Sequence, residues 1–209
     1  MERARHDARH KRAAVETEML RTIVENAGPP AALRDLRDRA LILFNFGNAR
    51  RRSEIAALDY EDLEFRDNGV FISIRRSKTD QRGVGRTTWL PRLAEPDQKL
   101  CAHRALLDWI RAADIREGPL FRTFDLNGRL TANRIDGRDV TRALKRVAAA
   151  AGLPSEQIAR IASHSLRRGF VTSADRAGAS VHAIMKVTLH KDRRTVDVYV
   201  KRDLERDSP

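Results

Sequence analysis

Apolar residues recur at helical spacing through most of the chain. Leu36, Ala40, Leu43 and Gly47, supported by Leu33, Leu41 and Phe44, predict a largely buried helix over residues 33–46. A short helix is expected from Ser53, carrying Ile55, Ala56 and Leu58. The period then changes to two: after the turn signal Asn68, Gly69 come Val70, Ile72 and Ile74 on one face of a strand. RTTWLP supplies a third strand, and KTDQRGVGR between the two reads as a basic, glycine-bearing loop. Everything beyond reads as helical. Pro96 opens a helix with Leu100, Ala105, Leu106 and Trp109 on or near its inner face. DVTRALKRVAAAAGL repeats the pattern through Val140, Leu144, Val147, Ala148 and Ala151, and Gly152 stops it. SLRRGFVTSADRAG and SVHAIMKV follow, the second capped by Ser180. Upstream, residues 1–16 are polar and basic and read as an arm that turns helical toward VETEMLRTIVENAG, where Gly28, Pro29 and Pro30 end it. The core is expected to start after that stop. The prediction is an α+β fold, mainly helical, with a small three-stranded antiparallel sheet at one edge: an arm or linker over 1–32 and one domain over 33–209.

Composition narrows the partners. The 209 residues, 41% of them hydrophobic, suffice for one sizeable core. Lysine and arginine number 41 against 29 acidic residues, a net charge of +12. That excess points to a polyanion, because each neutralised phosphate releases condensed counterions. Nucleic acid leads, ahead of an anionic membrane surface. Cys101 is the single cysteine, which excludes an intrachain disulfide and a multi-thiolate zinc site. His103, His164, His182 and His190 show no metal-ligand spacing with cysteine or carboxylate. No apolar run approaches the roughly 20 residues of a membrane-spanning helix, and MERARHDARHKR lacks the apolar centre of a secretory signal. A cytoplasmic or nucleoid-associated protein is expected.

Four stretches hold candidate chemistry: NARRRSEIAAL at 48–58, RRSKTD at 75–80, HSLRRGF at 164–170 and LHKDRRTVDVYV at 189–200. Singly, each has an ordinary reading. Arg51 would be a solvated helix charge and Lys78 a solvated hairpin lysine. His164 beside a serine would be a cap or a satisfied polar contact. Tyr199, with Val196 and Val200 beside it at helical spacing, would be a core-rim aromatic. Together, the order arginine, lysine, His-x-x-Arg, histidine, tyrosine over about residues 35 to 201 resembles the tyrosine recombinase (phage integrase) family.

The resemblance implies the DNA breaking-rejoining enzyme fold and a catalytic domain acting on double-stranded DNA, with a homo-oligomer assembled on the DNA. It implies cleavage through a 3′-phosphotyrosyl intermediate and rejoining to another 5′-hydroxyl, with no metal or nucleotide cofactor. The residue types suit that chemistry. Nonbridging phosphate oxygens gain charge in the transition state, and a metal-free site must supply fixed cations, for which the planar guanidinium fork is best shaped. By match to the motifs, Arg51 and Arg167 are the two clamps. Glu54, three residues beyond Arg51, could orient it on a helix. Lys78 protonates the departing 5′-oxygen, which is too basic to leave readily unaided. A tyrosine hydroxyl of pKa about 10 needs a base or a cationic field; the resemblance implies Tyr199 as the nucleophile, His164 as the base, and His190 as a hydrogen-bond donor to the scissile phosphate.

The chain departs from the family pattern in places. Leu189 stands where glycine is common before His190, and a side chain there crowds the turn. Arg50 stands where an apolar residue is usual; if buried, it must find a partner. Residues 1–32 are too short for the family's helical core-binding domain, so the chain reads as the catalytic half of a DNA clamp, with weaker and more salt-sensitive binding expected. The segment after Tyr199, which in the family often docks into a neighbouring protomer, is short and highly charged here. Two alternatives stand beside the recombinase reading. One is type IB topoisomerase-like strand relaxation, disfavoured by His164, where those enzymes generally have lysine. The other is a non-catalytic DNA-binding remnant of a truncated integrase.

Overall fold

The computed structural model describes residues 13–74, 85–94, 97–189, 192–194 and 196. In chain order the elements are α1 (Thr17–Asn26), α2 (Leu33–Asn48), α3 (Arg52–Ala56), β1 (Leu63–Arg66), β2 (Gly69–Ile74), β3 (Arg86–Pro91), α4 (Ala102–Ala112), β4 (Arg122–Phe124), β5 (Leu130–Arg134), α5 (Gly137–Ala150), α6 (Ser155–Arg160), α7 (Ser163–Arg176) and α8 (Val181–Thr188). The architecture is the expected mainly helical α+β fold, with β1-β2-β3 as an antiparallel sheet.

Helix α2 is central. Ala40, Leu41, Ile42, Leu43 and Phe44 are all buried, so the middle of the helix is apolar on every side. It packs against α4, α5, α7 and β3. Trp109 of α4 is fully buried, and its indole N–H donates to the Leu120 carbonyl at 2.9 Å, which satisfies the polar end of a large apolar side chain. The sheet follows the period-two pattern: Val70, Ile72 and Ile74 face the core, and Arg66 pairs with Gly69 across the turn. Asp136 caps α5 by accepting from the amides of Arg138 and Asp139, and Gly152, at φ 76°, ends the chain's helical run there. The Ser180 hydroxyl accepts from the Ala183 amide, as expected for the cap of α8.

Three expectations need correction. The core does not start after Gly28. Val15, Leu20, Ile23 and Val24 are buried in the main core, and at about 1.5–3 kcal/mol each this burial holds the segment down. Ala13 and Val15 also donate backbone bonds to Arg160 and Ser165, both at 3.0 Å. The arm reading therefore fails for residues 13–32; residues 1–12 lie outside the described ones. The approach is close: a Cβ on Gly169 of α7 would stand 1.7 Å from the Val15 carbonyl oxygen. Second, the region after the sheet is not all helix. β4 and β5 form a two-stranded antiparallel hairpin whose turn is held by Asp125 Oδ1, accepting from the amides of Asn127 and Arg129. Third, the helix expected from Pro96, itself outside the described residues, is not continuous from Asp97 onward. A 3₁₀ turn at Asp97–Leu100 precedes α4.

A smaller cluster of Val171, Ile184 and Val196 joins α7, α8 and the segment beyond it. No described helix is long and apolar enough to cross a membrane.

Candidate active site

The site is built around the tight connection between α2 and α3. Asn48, whose side-chain amide donates to the Phe44 carbonyl at 3.0 Å, ends α2. Ala49 follows in the left-handed region, at φ 47° and ψ 38°, an uncommon conformation for a residue with a Cβ. This turn aims the Ala49 carbonyl at α7, where Arg167 Nη1 donates to it. Arg167 is 3% exposed, so the contact fixes a buried guanidinium from one side.

Arg51 is the N-cap of α3. Glu54, one turn on, accepts from the Arg51 backbone amide at 3.1 Å and from its Nη1 at 2.9 Å. Helix geometry puts positions i and i+3 side by side, so Glu54 holds both ends of the arginine. The Glu54 side chain is 4% exposed and that of Arg51 34%, leaving part of the guanidinium open to a ligand. From the far side, Arg134 of β5 donates to the carbonyls of Ala56 and Leu58, so the hairpin missed by sequence reasoning anchors the C-terminal end of α3.

Helix α7 carries two further candidates in its first turn. Its start is fixed by the Ser163 amide donating to Thr141 Oγ1 and by the Ala162 amide donating to Ser165 Oγ, both at 3.1 Å. His164 and Arg167 then lie three positions apart, on neighbouring positions of one helix face. The imidazole is open to solvent on one side, yet enough protein surrounds it that desolvation, followed by the charges of Arg167 and Arg168, holds its pKa below the ordinary histidine value. The ring is neutral at neutral pH and able to accept a proton.

Arg50 is the residue whose importance the sequence least disclosed. It is 1% exposed, and its Nη2 donates to the Val187 carbonyl of α8 at 2.6 Å. Its Nε and Nη1 have no hydrogen-bond partner among the described residues. Burial pulls its pKa down to about 10; Glu54 opposes this, and the charges of Arg167, Arg51 and Arg86 add to it. The charges of Arg51, Arg86 and Arg167 thus act on Arg50, with the buried Glu54 carboxylate opposing them. An open groove of 790 Å³ continues from there, lined by Arg86, Thr88 and Trp89 of β3 and by His182, Lys186 and Leu189 at α8. Its basic lining was legible only as overall charge, because β3 and α8 are nearly a hundred residues apart in the chain.

Arg51, Glu54, His164 and Arg167 are therefore brought to one region. Lys78, His190 and Tyr199 lie outside the described residues. The elements that precede them are placed. β2 ends at Ile74, paired with Arg86. α8 ends at Leu189, in the left-handed conformation at φ 53°. Val196 is buried against Val171 and Ile184.

Residues 14–206 match the model of the phage integrase family. The chain belongs to that family. It is 38% identical over 169 residues to an integrase/recombinase XerD homolog of Selenomonas ruminantium, an alignment covering 81% of this chain and 48% of that protein. It is 26% identical over 169 residues to the tyrosine recombinase XerC of Thermodesulfovibrio yellowstonii, covering 81% and 51%. The chain thus spans about half the length of the curated relatives it matches. Among solved structures, the XerH site-specific recombinase bound to palindromic difH substrate superposes with a TM-score of 0.66 at 18% identity, over 94% of this chain and 51% of that one. The lambda integrase catalytic core does so at 0.56 and 14%, over 87% and 94%. These likenesses establish the fold.

Proposed function

We propose that this chain is the catalytic domain of a site-specific DNA recombinase that cuts and rejoins duplex DNA through a 3′-phosphotyrosyl intermediate. The observation that carries the reading is the junction at residues 49–51. One carbonyl there binds Arg167, the next residue binds α8, and the third is Arg51 held by Glu54. Two guanidiniums with fixed orientation beside a neutral histidine form a preorganised cradle for a phosphodiester whose oxygens gain charge as it reacts.

In this mechanism Arg51 and Arg167 bind the nonbridging oxygens, and His190 donates a hydrogen bond to them. The Tyr199 hydroxyl attacks phosphorus while its proton passes to His164. The bond from phosphorus to the 5′-oxygen breaks, and Lys78 supplies that oxygen's proton. Attack of another strand's 5′-hydroxyl on the phosphotyrosine reverses these steps and frees the tyrosine. Val196, buried on α7 and α8, anchors the chain three residues before Tyr199, a reach of roughly 10 Å. The net charge of +12 and the basic groove supply the attraction to duplex DNA. The substrate class, assembly of several copies on DNA and a nucleoid-associated place of action belong to the same reading.

The test mixes the protein with a pool of nicked duplexes of randomised flanking sequence, in which cleavage releases a short fragment and traps the intermediate. The reading predicts a covalent protein–DNA band on a denaturing gel, absent for Tyr199→Phe. DNA binding without the band in either protein would leave a binding domain and contradict it.

A further inference from the structure

Two features that the proposed chemistry does not use meet at the same helix end. Arg50 reaches across from the α2–α3 connection to the Val187 carbonyl in the last turn of α8. Two residues further on, Leu189 ends that helix in a left-handed conformation, φ 53° and ψ 36°. The last carbonyls of a helix lack intrahelical donors, and a cation there both satisfies one and complements the helix dipole. A left-handed cap is ordinarily made by glycine, which adopts it freely, whereas leucine adopts it under strain. The end of α8 is thus closed by a strained residue and tied from outside by a buried guanidinium.

Stability alone does not account for that guanidinium. Burying a cation with two of its three nitrogens unpartnered among the described residues is unfavourable, and an apolar side chain of similar volume at such a position is commonly neutral or stabilising. What the contact does provide is a fixed distance. His190 follows Leu189 directly, and Arg50 lies between Ala49, which holds Arg167, and Arg51.

We infer that Arg50 is a positioning residue: it ties the strained Leu189 cap of α8 to the arginine junction and so sets where the chain segment bearing His190 and Tyr199 begins relative to Arg51 and Arg167. The inference rests on the recombinase reading for its catalytic consequence, but its structural part stands apart from it. The two residues form a coupled pair, in which the tether is needed because the cap is leucine.

The test compares wild type, Arg50→Met, Leu189→Gly and the double variant by thermal unfolding, by hydrogen exchange of peptides covering residues 181–189, and by single-turnover cleavage of the nicked duplex. Arg50→Met is expected to melt no lower than wild type, to exchange faster over 181–189, and to cleave on the order of tenfold more slowly at an unchanged half-saturating DNA concentration. Leu189→Gly, added to Arg50→Met, restores both protection and rate, because glycine holds the cap without the tether. Unchanged exchange and cleavage in Arg50→Met would overturn the inference. So would losses that track a lower melting temperature, or that Leu189→Gly fails to rescue. If wild type itself forms no covalent product, the recombinase reading fails, and hydrogen exchange with its rescue still decides whether Arg50 ties the end of α8.

Discussion

Removing the charge of Glu54 tests how the arginine junction is held. Glu54→Gln keeps the shape and an oxygen acceptor but removes the carboxylate that holds Arg51 and that opposes the charges of Arg51, Arg86 and Arg167 on Arg50. The bond from the Arg51 amide at 3.1 Å becomes a neutral one, and the ion pair at 2.9 Å becomes a bond from a cation to a neutral amide, a loss of roughly 1 kcal/mol each. The Arg51 side chain is 34% exposed, so solvent screens part of that loss. Arg50 is buried and receives no such relief. Uncompensated burial of a cation brings the expected destabilisation to about 2–4 kcal/mol. For a domain of this size that corresponds to a fall in Tm of roughly 5–15 °C, measured by circular dichroism or calorimetry. A ligand that supplies negative charge to the junction should narrow the gap. Saturating duplex DNA, by binding only the folded state, is expected to raise the Tm of Glu54→Gln by more than that of wild type. A change below about 1 °C without DNA, or equal protection of both proteins by it, would refute the electrostatic account.

Other perturbations reach the rest of the structure. Gly169→Ala would drive a methyl group into the Val15 carbonyl and break the pairing of Val15 with Ser165, so denaturant unfolding should show a loss of about 2–4 kcal/mol. Asp38 accepts from Arg37 at 3.0 and 2.7 Å and from Arg146 at 2.6 Å; Asp38→Asn should cost about 3–5 kcal/mol while leaving cleavage per folded molecule unchanged. Burial, then the charge of Arg92, lowers the pKa of His103 below 6.5. Above that pH the ring is neutral in both states; below it the unfolded chain protonates first, so stability falls as pH drops from 6.5 through the lowered value, and His103→Gln should flatten that part of the profile. The lowered pKa of His164 likewise predicts a cleavage rate that rises with pH through an inflection below 6.5, which His164→Gln should abolish.

Much of this fold was legible because single elements carry their own period. α2, α5, α7, α8 and the β1–β2 hairpin announce themselves through apolar spacing, Asn68–Gly69, Gly152 and Ser180. What escaped were features set by partners far away in sequence. The segment around Val15 reads as a charged arm because its apolar residues are diluted by arginine and histidine; it docks because Gly169, more than 150 positions later, leaves room for its backbone. β4 and β5 are short, and their burial pattern does not alternate, so periodicity misses them; the Asn127–Gly128 pair was the available signal. Residue types and order offered Arg51, Glu54, His164 and Arg167 as candidates, and the structure places these four in one region. The sequence marked Arg50 as a departure but not its reach to Val187, since a helix end 137 positions away supplies the partner.

The central claim concerns which atom becomes covalently joined to DNA. Wild-type protein trapped on a nicked duplex, digested with protease and nuclease, and sequenced by mass spectrometry should give one modified peptide, carrying a nucleotide 3′-phosphate on the hydroxyl of Tyr199. A phosphotyrosine at Tyr60, a 5′-linked nucleotide, or an adduct that persists in Tyr199→Phe would contradict the account.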